Sequence, residues 1–401
     1  MMTPEQKELV KATVPVLKTH GVLLTTHFYQ RMFTHNPELK HVFNKGNQQN
    51  QKQQTALAMA VLAYAEHIEN PGVLMPMVDN IGHKHTSLDI RPEHYAIVGR
   101  HLLASIAEVL GDAATPALLE AWGAAYGQLA AIMSGHEQSL YNKQVAKTGG
   151  WTGWRPFVVK QKVKESEEIT SFYLYPADGG AVAGFEPGQY ISLRLFLPEL
   201  NLWQPRQYSI SCAPNGQYYR ISVKKETGST HPDGMISNRL HQHVQEGDVV
   251  ALSAPAGSFT LKPGGERHTV LISGGVGQTP LMAMLESLTS GEQQSRIVWV
   301  HGCRNESVHA FKQRIAELEA AHNQVSCHIF YDTAGTPAAK TYTGRVDLDL
   351  IRDAVLLQQA DYYLCGPAPF IEQHYKFLVA QGVDRSVIHF EEFGPASLQL
   401  N

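Results

Sequence analysis

A glycine-rich turn near residue 275 has the composition of a phosphate-binding loop. It lies between an apolar run and a helical stretch, and its residues are Gly274, Gly275, Val276, Gly277, Gln278, Thr279 and Pro280. Glycines let a backbone approach a ligand closely, and the first turn of a helix offers free N–H groups and a positive dipole to a pyrophosphate. The spacing differs from the GxGxxG pattern of dehydrogenases, so the residues alone also fit a turn needed only for tight strand–helix packing.

A second turn of this kind, CGP at 365–367, follows the apolar run DYYLC and precedes another helical stretch. Ligands of open α/β sheets bind beyond the carboxyl ends of the strands, so Gly274 and Gly366 are expected to line one crevice. The chain then ends on an acidic and aromatic segment that contains Glu391, Glu392, Phe393, Gly394 and Pro395. This segment fits a fold-back over a planar ring, and equally a core strand followed by a tail.

Four successive residues in the middle of the chain combine a cation, a ring and a hydroxyl group: Arg206, Gln207, Tyr208 and Ser209. Arginine offers a forked cation to a phosphate. Tyrosine offers a ring for stacking, and serine a small hydrogen-bonding group beside it. The four residues alone also fit an ordinary strand, but their order before the glycine-rich turn favours a ligand site.

His85 shares a helical stripe with Leu74, Val78 and Ile81. Spacings of three and four residues place side chains on one helix face, so the imidazole is expected to point into a core. The neighbouring His83 falls off this stripe. A lone inward histidine fits both a metal ligand and a hydrogen-bonded core residue.

Gln53, Leu57 and Val61 follow one another at one-turn spacing. This face is expected to oppose the stripe histidine across a flat apolar slot. Residues 45–54 contain five glutamines, so the glutamine that faces the slot depends on helix register. We predict Gln53, because it lies four residues before Leu57, and keep Gln54 as the alternative.

The elements that position these residues change in character along the chain. Helix caps and helical periodicity dominate residues 1–140, where no strand signal occurs, which predicts an all-α domain. Residues 141–150 form a predicted linker. Short β-branched and aromatic runs over 151–263 predict an antiparallel β-barrel, with its last strand at 258–261. Strands alternate with helices over 264–401, which predicts an α/β domain with a doubly wound parallel sheet.

The composition excludes several classes of protein. With 43% hydrophobic and 17% charged residues and a net charge of −4, the chain suits folded domains and has no general attraction to nucleic acid. The four cysteines form no CxxC pair, so an iron–sulfur or structural zinc site is not expected. We expect a cytoplasmic protein with no integral membrane segment, because neither a signal peptide nor an apolar run of spanning length is visible.

The order of RxYS, GGVGQTP, CGP and EEFGP from residue 151 onward resembles the ferredoxin-reductase-like flavoprotein family. The resemblance implies FAD at Arg206–Ser209 and Tyr190, with its pyrophosphate at the helix start Gly234–Asn238. It implies NAD(P)H at Gly274–Thr279 and a nicotinamide–flavin contact near Glu392–Pro395. Many relatives pass electrons to an iron–sulfur domain. This chain has no cysteine cluster for one, so its electron acceptor is expected elsewhere.

The helical domain carries three further motifs: MFTHNPELKxxFN (32–44), HKHTS (83–87) and AWGxAYGxLA (121–130). With these motifs the whole chain resembles the flavohaemoglobins, the bacterial and fungal nitric oxide dioxygenases. The resemblance implies a haem b domain with His85 as the iron ligand. It also implies that Tyr29 and Gln53 form the polar pair around bound oxygen.

The same resemblance assigns supporting roles. The residues that line the haem pocket would be Phe43, Leu57 and Val61. Tyr95 and Glu137 would hydrogen-bond to His85, and a carboxylate behind a histidine ligand makes it more basic. A core tyrosine is the alternative for Tyr95. Lys84 and Glu391 would tune the haem and flavin potentials, with plain solvated charges as the alternative.

Together these features predict a monomeric, NAD(P)H-dependent enzyme that passes electrons through FAD to haem and converts nitric oxide and oxygen to nitrate. A haem-based oxygen or redox sensor with its own reductase is the alternative function, and a reductase that serves an external oxygenase is a third. The sequence does not choose between NADH and NADPH, although Arg304 after the run IVWV could meet a ribose phosphate.

Overall fold

The computed structural model describes residues 2–43, 51–228, 233–262, 267–291, 295–333 and 338–393. The chain divides into two compact units. The first contains Met1–Trp154 and Arg194–Arg206, and the second contains Arg155–Leu193 and Gln207–Asn401. No helix in the described ranges is both long and apolar enough to cross a bilayer.

The first unit is built mainly from helices, as predicted. They are α1 (Pro4–Ala12), α2 (Val14–His35), α3 (Lys52–Glu66), α4 (Met75–Ser87), α5 (Pro92–Leu110) and α6 (Pro116–Ala146). Thr3 is the N-terminal cap of α1. Its side chain accepts a hydrogen bond from the backbone N–H of Gln6, and the Gln6 side chain accepts one from the backbone N–H of Thr3, which together form a capping box. A short 3-10 helix, Pro37–His41, follows α2. The end of α6 at Ala146 lies inside the segment that we predicted as a linker.

The packing of this unit buries one face of each long helix. Phe28 and Met32 of α2 are almost completely buried, as is Ala125 of α6. They belong to one apolar cluster that also includes Tyr29 and Val61. The helical stripes seen in the sequence therefore face a common core, and the same core carries the candidate pocket residues.

The first sheet is antiparallel and contains six strands in the order β4-β3-β6-β1-β2-β5. Its strands are β1 (Arg155–Lys164), β2 (Ile169–Pro176), β3 (Tyr190–Leu197), β4 (Leu202–Ser209), β5 (Tyr219–Lys224) and β6 (Val249–Leu252). An isolated bridge between Ile210 and Ile221 joins the chain after β4 to β5, so the two edges of the sheet meet. Helix α7 (Met235–Gln242) lies between β5 and β6 in the chain.

The predicted strand at 258–261 is wrong. Residues 258–261 are irregular and pair with no strand among the described residues. The nearest pairing is an isolated bridge between Tyr190 and Ala256. Phe259 is instead buried in the core of the α/β domain, where its ring lies 6.0 Å from that of Tyr363. Burial of the apolar side chain, and not strand pairing, explains the apolar pattern that we interpreted as a strand.

The second sheet is parallel, in the order β10-β9-β8-β7-β11-β12. Its strands are β7 (His268–Gly274), β8 (Ile297–Cys303), β9 (Val325–Tyr331), β10 (Thr341–Thr343), β11 (Ala360–Gly366) and β12 (Ile388–Glu392). Its helices are α8 (Gln278–Thr289), α9 (Lys312–Ala321), α10 (Arg352–Val355) and α11 (Ala368–Ala380). The short strand β10 was not predicted. The strand order reverses between β7 and β11, where open α/β sheets bind ligands.

Candidate functional site

Three helices of the first unit bring His85, Tyr95 and Glu137 together. His85 lies in the last turn of α4, Tyr95 in the first turn of α5, and Glu137 on α6. The Glu137 carboxylate lies 2.7 Å from His85 Nδ1 and accepts a 2.5 Å hydrogen bond from the Tyr95 hydroxyl. The Tyr95 hydroxyl also lies 3.2 Å from His85 Nδ1. Residues 52 positions apart in the chain thus meet in one hydrogen-bonded group.

This hydrogen bonding decides which nitrogen of His85 is available. Burial, reinforced by the Glu137 carboxylate, raises the pKa of Tyr95 far above its ordinary value, so its hydroxyl keeps its proton. Glu137, which is only 2% exposed, then accepts from Tyr95 and from Nδ1–H of His85. A proton on Nδ1 leaves Nε2 with a lone pair, which is the form in which histidine binds a metal.

Tyr29 and Gln53, the predicted polar pair, are also in contact. The Gln53 side chain hydrogen-bonds to the Tyr29 hydroxyl. Burial raises the pKa of Tyr29 well above its ordinary value, so the hydroxyl remains a donor at neutral pH. Gln54 is buried beside the pair, and its backbone carbonyl accepts from the Thr25 hydroxyl. The contact with Tyr29 is consistent with the prediction of Gln53, and Gln54 stays the alternative.

An apolar wall accompanies this pair. The Phe43 ring packs edge-on against Tyr29, with centroids 5.8 Å apart, and against Phe33, with centroids 5.3 Å apart. Leu57 and Val61 of α3 pack into the same core cluster. Lys84 is half-buried on α4, directly before His85 in the chain.

These residues fit a haem. The described residues include no group of three or more histidine, cysteine or carboxylate side chains placed to hold a metal ion. Iron bound at His85 would therefore need a ligand set that is not supplied by the protein, as a porphyrin provides. One imidazole with Nε2 available could hold haem iron, and an apolar aromatic wall with a Tyr–Gln pair suits the pocket around it.

The four candidate flavin residues are successive residues of β4. Arg206 bonds through Nη1 to the carbonyl of Pro205 at 2.7 Å, and Gln207 bonds through Nε2 to Ser192 Oγ at 3.3 Å. Side chains alternate along a strand, so Arg206 and Tyr208 share one face. Ser209 is buried on the other face.

Tyr190 and the start of α7 complete the candidate flavin residues. Tyr190 begins β3 and pairs with Ala256. Helix α7 begins at Met235, after Gly234 as its N-terminal cap. Asn238 Nδ2 donates to the carbonyls of Glu226 and Gly234 at 2.7 and 2.9 Å, which ties the helix start to the preceding chain. The first turn of such a helix has free N–H groups for an anion.

The glycine-rich turn joins β7 to α8 with very little space around it. Gly275 has φ +56°, a conformation that glycine adopts readily. A Cβ atom on Gly277 would lie 2.2 Å from the carbonyl oxygen of Cys365, so no larger residue fits there. The α8 helix that follows is buried along almost its whole length. The two predicted turns therefore do meet at the switch point of the sheet.

The end of the chain reaches the same edge of the sheet. Strand β12 pairs with β11 so that Glu391 lies opposite Cys365 and Glu392 opposite Gly366. Phe393 follows and is 41% exposed. The predicted residues Gly394 and Pro395 lie outside the described residues.

Comparisons with known proteins agree with this geometry. The Globin family matches residues 26–133, the oxidoreductase FAD-binding domain family 156–261, and the oxidoreductase NAD-binding domain family 271–376. The flavohemoprotein of Bordetella parapertussis is 54% identical over 98% of this chain and 99% of its own length. That of Chromobacterium violaceum is 50% identical over 98% of both chains. The chain belongs to the flavohemoprotein family.

Two solved structures are similar to this flavohemoprotein. The Malassezia yamatoensis flavohemoglobin, described with bound FAD and heme, has a TM-score of 0.85 and 26% identity and covers 98% of this chain and 99% of its own. The FAD/NAD-binding domain of a Vibrio cholerae nitric oxide dioxygenase has a TM-score of 0.55 and 40% identity, over 60% of this chain and 99% of its own. The predicted order of globin, antiparallel FAD domain and parallel nucleotide domain is confirmed, and the predicted haem, FAD and NAD(P)H agree with it.

The four cysteines of this flavohemoprotein are free thiols. Burial raises the pKa of Cys212 to about 11 and of Cys303 and Cys327 to about 12, and it raises that of Cys365 still further. These shifts favour the protonated thiol over the thiolate at neutral pH.

One buried polar residue was missed by sequence reasoning. Gln204 of β4 is completely buried and hydrogen-bonds to the backbone at Lys40 and Phe43. Its position two residues before Arg206 is visible in the sequence, but the contact across more than 160 residues is not.

Proposed function

We propose that this flavohemoprotein is a nitric oxide dioxygenase that uses NAD(P)H. The observation that carries the proposal is the buried Glu137 carboxylate behind His85, on a chain that also carries FAD- and NAD-binding oxidoreductase domains. The similarity to a Vibrio cholerae domain named as part of a nitric oxide dioxygenase supports it. Two molecules of nitric oxide and two of oxygen react with one NAD(P)H to give two nitrate ions, NAD(P)⁺ and one proton.

When bound, haem supplies oxygen activation and FAD supplies the conversion of a hydride into single electrons. His85 would hold the iron, while Glu137 accepts a hydrogen bond of 2.7 Å from Nδ1–H of the imidazole. This partial negative charge makes the imidazole a stronger electron donor, which favours oxygen activation over reversible storage. Tyr95 fixes the carboxylate through its own hydrogen bond.

On the other side of the pocket, Tyr29 and Gln53 orient the diatomic substrate. The Tyr29 hydroxyl stays protonated and can donate a hydrogen bond to the negative charge that develops on oxygen. Phe43, Leu57 and Val61 surround it with apolar surface, which excludes water and accepts a small neutral reactant such as nitric oxide. Lys84, the residue before His85, is proposed to tune the haem potential through its charge.

In the reductase part, Arg206 and Tyr208 are proposed to bind FAD through its phosphate and its ring, with Gln207, Ser209 and Tyr190 beside them. The turn Gly274–Thr279 would bind the pyrophosphate of NAD(P)H. Glu391, Glu392 and Phe393, with Gly394 and Pro395 after them, would lie near the nicotinamide–flavin contact. Arg304 forms an ion pair with Glu168, so a nucleotide phosphate would have to compete for it.

The proposal includes the oligomeric state, the cellular location and the domain boundaries of the protein. We infer a monomeric cytoplasmic enzyme that binds neither nucleic acid nor membrane. We also keep the domain boundaries given above, with a globin over 1–140, a linker over 141–150, an FAD domain over 151–263 and a nucleotide domain over 264–401.

The test is a stopped-flow reaction of the reduced holoprotein, first with oxygen and then with nitric oxide. We expect nitrate and NAD(P)H oxidation in the two-to-one ratio of the equation. A protein that oxidises NAD(P)H slowly, with no response to nitric oxide, would instead act as a sensor, and the proposal would be wrong. Absence of a Soret band from protein reconstituted with haemin would favour a reductase for an external oxygenase.

A further inference from the structure

A hairpin formed by the end of β3 and the start of β4 belongs to the first unit, together with the helices. Two of its residues contact the short 3-10 helix Pro37–His41 and the chain directly after it. The backbone N–H of Trp203 donates to His41 Nδ1 at 3.0 Å. The side-chain amide of Gln204 donates from Nε2 to the carbonyl of Lys40 at 2.9 Å and to that of Phe43 at 3.3 Å.

The Gln204 side chain is completely buried. A buried amide is unfavourable unless its donors and acceptors are bonded, and strand positions in a core normally hold apolar residues. The last carbonyls of a short helix also need donors from outside the helix. The bonds to Lys40 and Phe43, with a further contact at 3.0 Å to the carbonyl of Trp203, give the buried amide nitrogen acceptors and give the end of the short helix a donor, which favours glutamine over an aliphatic residue at this position.

The hairpin is anchored independently on its other side. The guanidinium of Arg194 lies 4.4 Å from the ring centre of Trp154 and 5.0 Å from that of Trp203. A cation between two indole rings at these distances is attracted to both. These contacts fix the strand that carries Gln204. The Gln204 amide can therefore hold the chain at residues 40–43 in place.

The held segment ends on a pocket residue. The carbonyl that Gln204 binds belongs to Phe43, whose ring packs edge-on against Tyr29. Tyr29 in turn bonds to Gln53. Along β4, Gln204 is followed two residues later by Arg206, and residues at this spacing share one face of a strand.

We propose that Gln204 is a positioning residue that fixes Phe43, and through it the pocket side of Tyr29, from the strand that carries the flavin residues. The inference rests on the haem pocket assigned under the proposed function. Loss of the two donated bonds frees the chain at residues 40–43, so the Phe43 ring no longer has a single position. Ligand entry to the haem and electron delivery to it then change, while the reaction of NAD(P)H with flavin does not.

The experiment uses the haem- and FAD-loaded Gln204→Leu variant, which keeps the side-chain size and removes the donors. Carbon monoxide recombination after flash photolysis reports the pocket, and anaerobic haem reduction by NAD(P)H under carbon monoxide reports electron delivery. Dye reduction by NAD(P)H reports the flavin alone. We expect about a threefold or larger change in the first two rates, the size found when a coupled contact is removed, with dye reduction unaltered. Asn201→Gly is the matched control, because it changes an exposed residue in the turn of the same hairpin, where the positive φ suits glycine, and it should behave as the wild type.

Wild-type rates of carbon monoxide recombination and haem reduction in a fully loaded Gln204→Leu protein would overturn the inference. So would a parallel loss of dye reduction, which would indicate general damage. If Gln204→Leu does not retain haem, His41→Ala decides the question, because it removes the bond from the Trp203 backbone at a half-buried side chain. It should change the recombination rate measurably relative to the wild type, and an unchanged rate would overturn the inference. None of these measurements uses nitric oxide, so they are independent of the dioxygenase assignment.

Discussion

The His85 group is built from side chains, whereas the glycine-rich turn is built from backbone. The first consists of side chains from three helices, which meet at 2.5 to 3.2 Å. The second consists of backbone, with a Cβ excluded at Gly277 by the carbonyl of Cys365. A side-chain site depends on packing between distant helices, whereas a backbone site is encoded by a short run of residues. The two sites should therefore respond to mutation in different ways.

The largest effect is expected from His85→Ala, which should affect the haem site and leave the flavin site intact. Removal of the proposed iron ligand should abolish haem binding, while FAD binding and dye reduction by NAD(P)H survive. The Soret absorbance and the rate of dye reduction, measured on the same preparation, check this. Loss of dye reduction together with haem would break the comparison, because the sites would then not be separable. His83→Ala, which changes a neighbouring histidine off the stripe, should leave haem bound.

Gly277→Ala is the converse change. Its Cβ would press on the Cys365 carbonyl, so β7 and β11 must move apart and the turn loses its position. Dye reduction should fall by about 100-fold, the scale of effect for a displacement near 1 Å, while the Soret absorbance is unchanged. Gly291→Ala, with open space around it, is the control and should retain activity. A fully active Gly277→Ala protein would contradict the crowded turn.

Tyr29→Phe tests the pocket without changing its apolar shape. The variant loses one hydrogen bond to a developing charge, so nitric oxide-dependent turnover should fall by about 10- to 100-fold while haem reduction is maintained. Because burial raises the pKa of Tyr29, the ratio of wild-type to variant rates should stay constant from neutral pH up to roughly pH 10. A ratio that declines as the pH rises through 8 would show that the hydroxyl ionises.

Glu137→Gln should have the smallest effect of the four. The amide keeps the shape and can accept one hydrogen bond, but it lacks the charge that makes His85 more basic. Haem should remain bound, turnover should fall by about tenfold, and the iron–histidine stretching frequency of the ferrous protein should decrease. Glu120→Gln, a change on the exposed face of the same helix, is the control. An unchanged stretching frequency would mean that the carboxylate does not act on the ligand.

Local signals in the sequence were enough for much of the architecture. The helical character of the first unit and the change to alternating strands and helices were predicted because periodicity and caps act over short distances. The apolar run DYYLC, named above before the turn CGP, lies in strand β11, Ala360–Gly366. The false strand at 258–261 and the missed β10 have one cause, since both are short segments whose pairing or burial depends on distant partners.

By itself, the sequence determined the order of the domains and the glycine-rich turn, because these depend on neighbouring residues. Tertiary structure decided which distant side chains meet. It brought Gln53 to the hydroxyl of Tyr29, and it placed the Glu137 carboxylate on the imidazole of His85. It also placed Gln204 against the carbonyl of Phe43, a contact that no spacing rule predicts. A hydrogen bond between residues far apart in the chain exists only once packing has brought their helices and strands together.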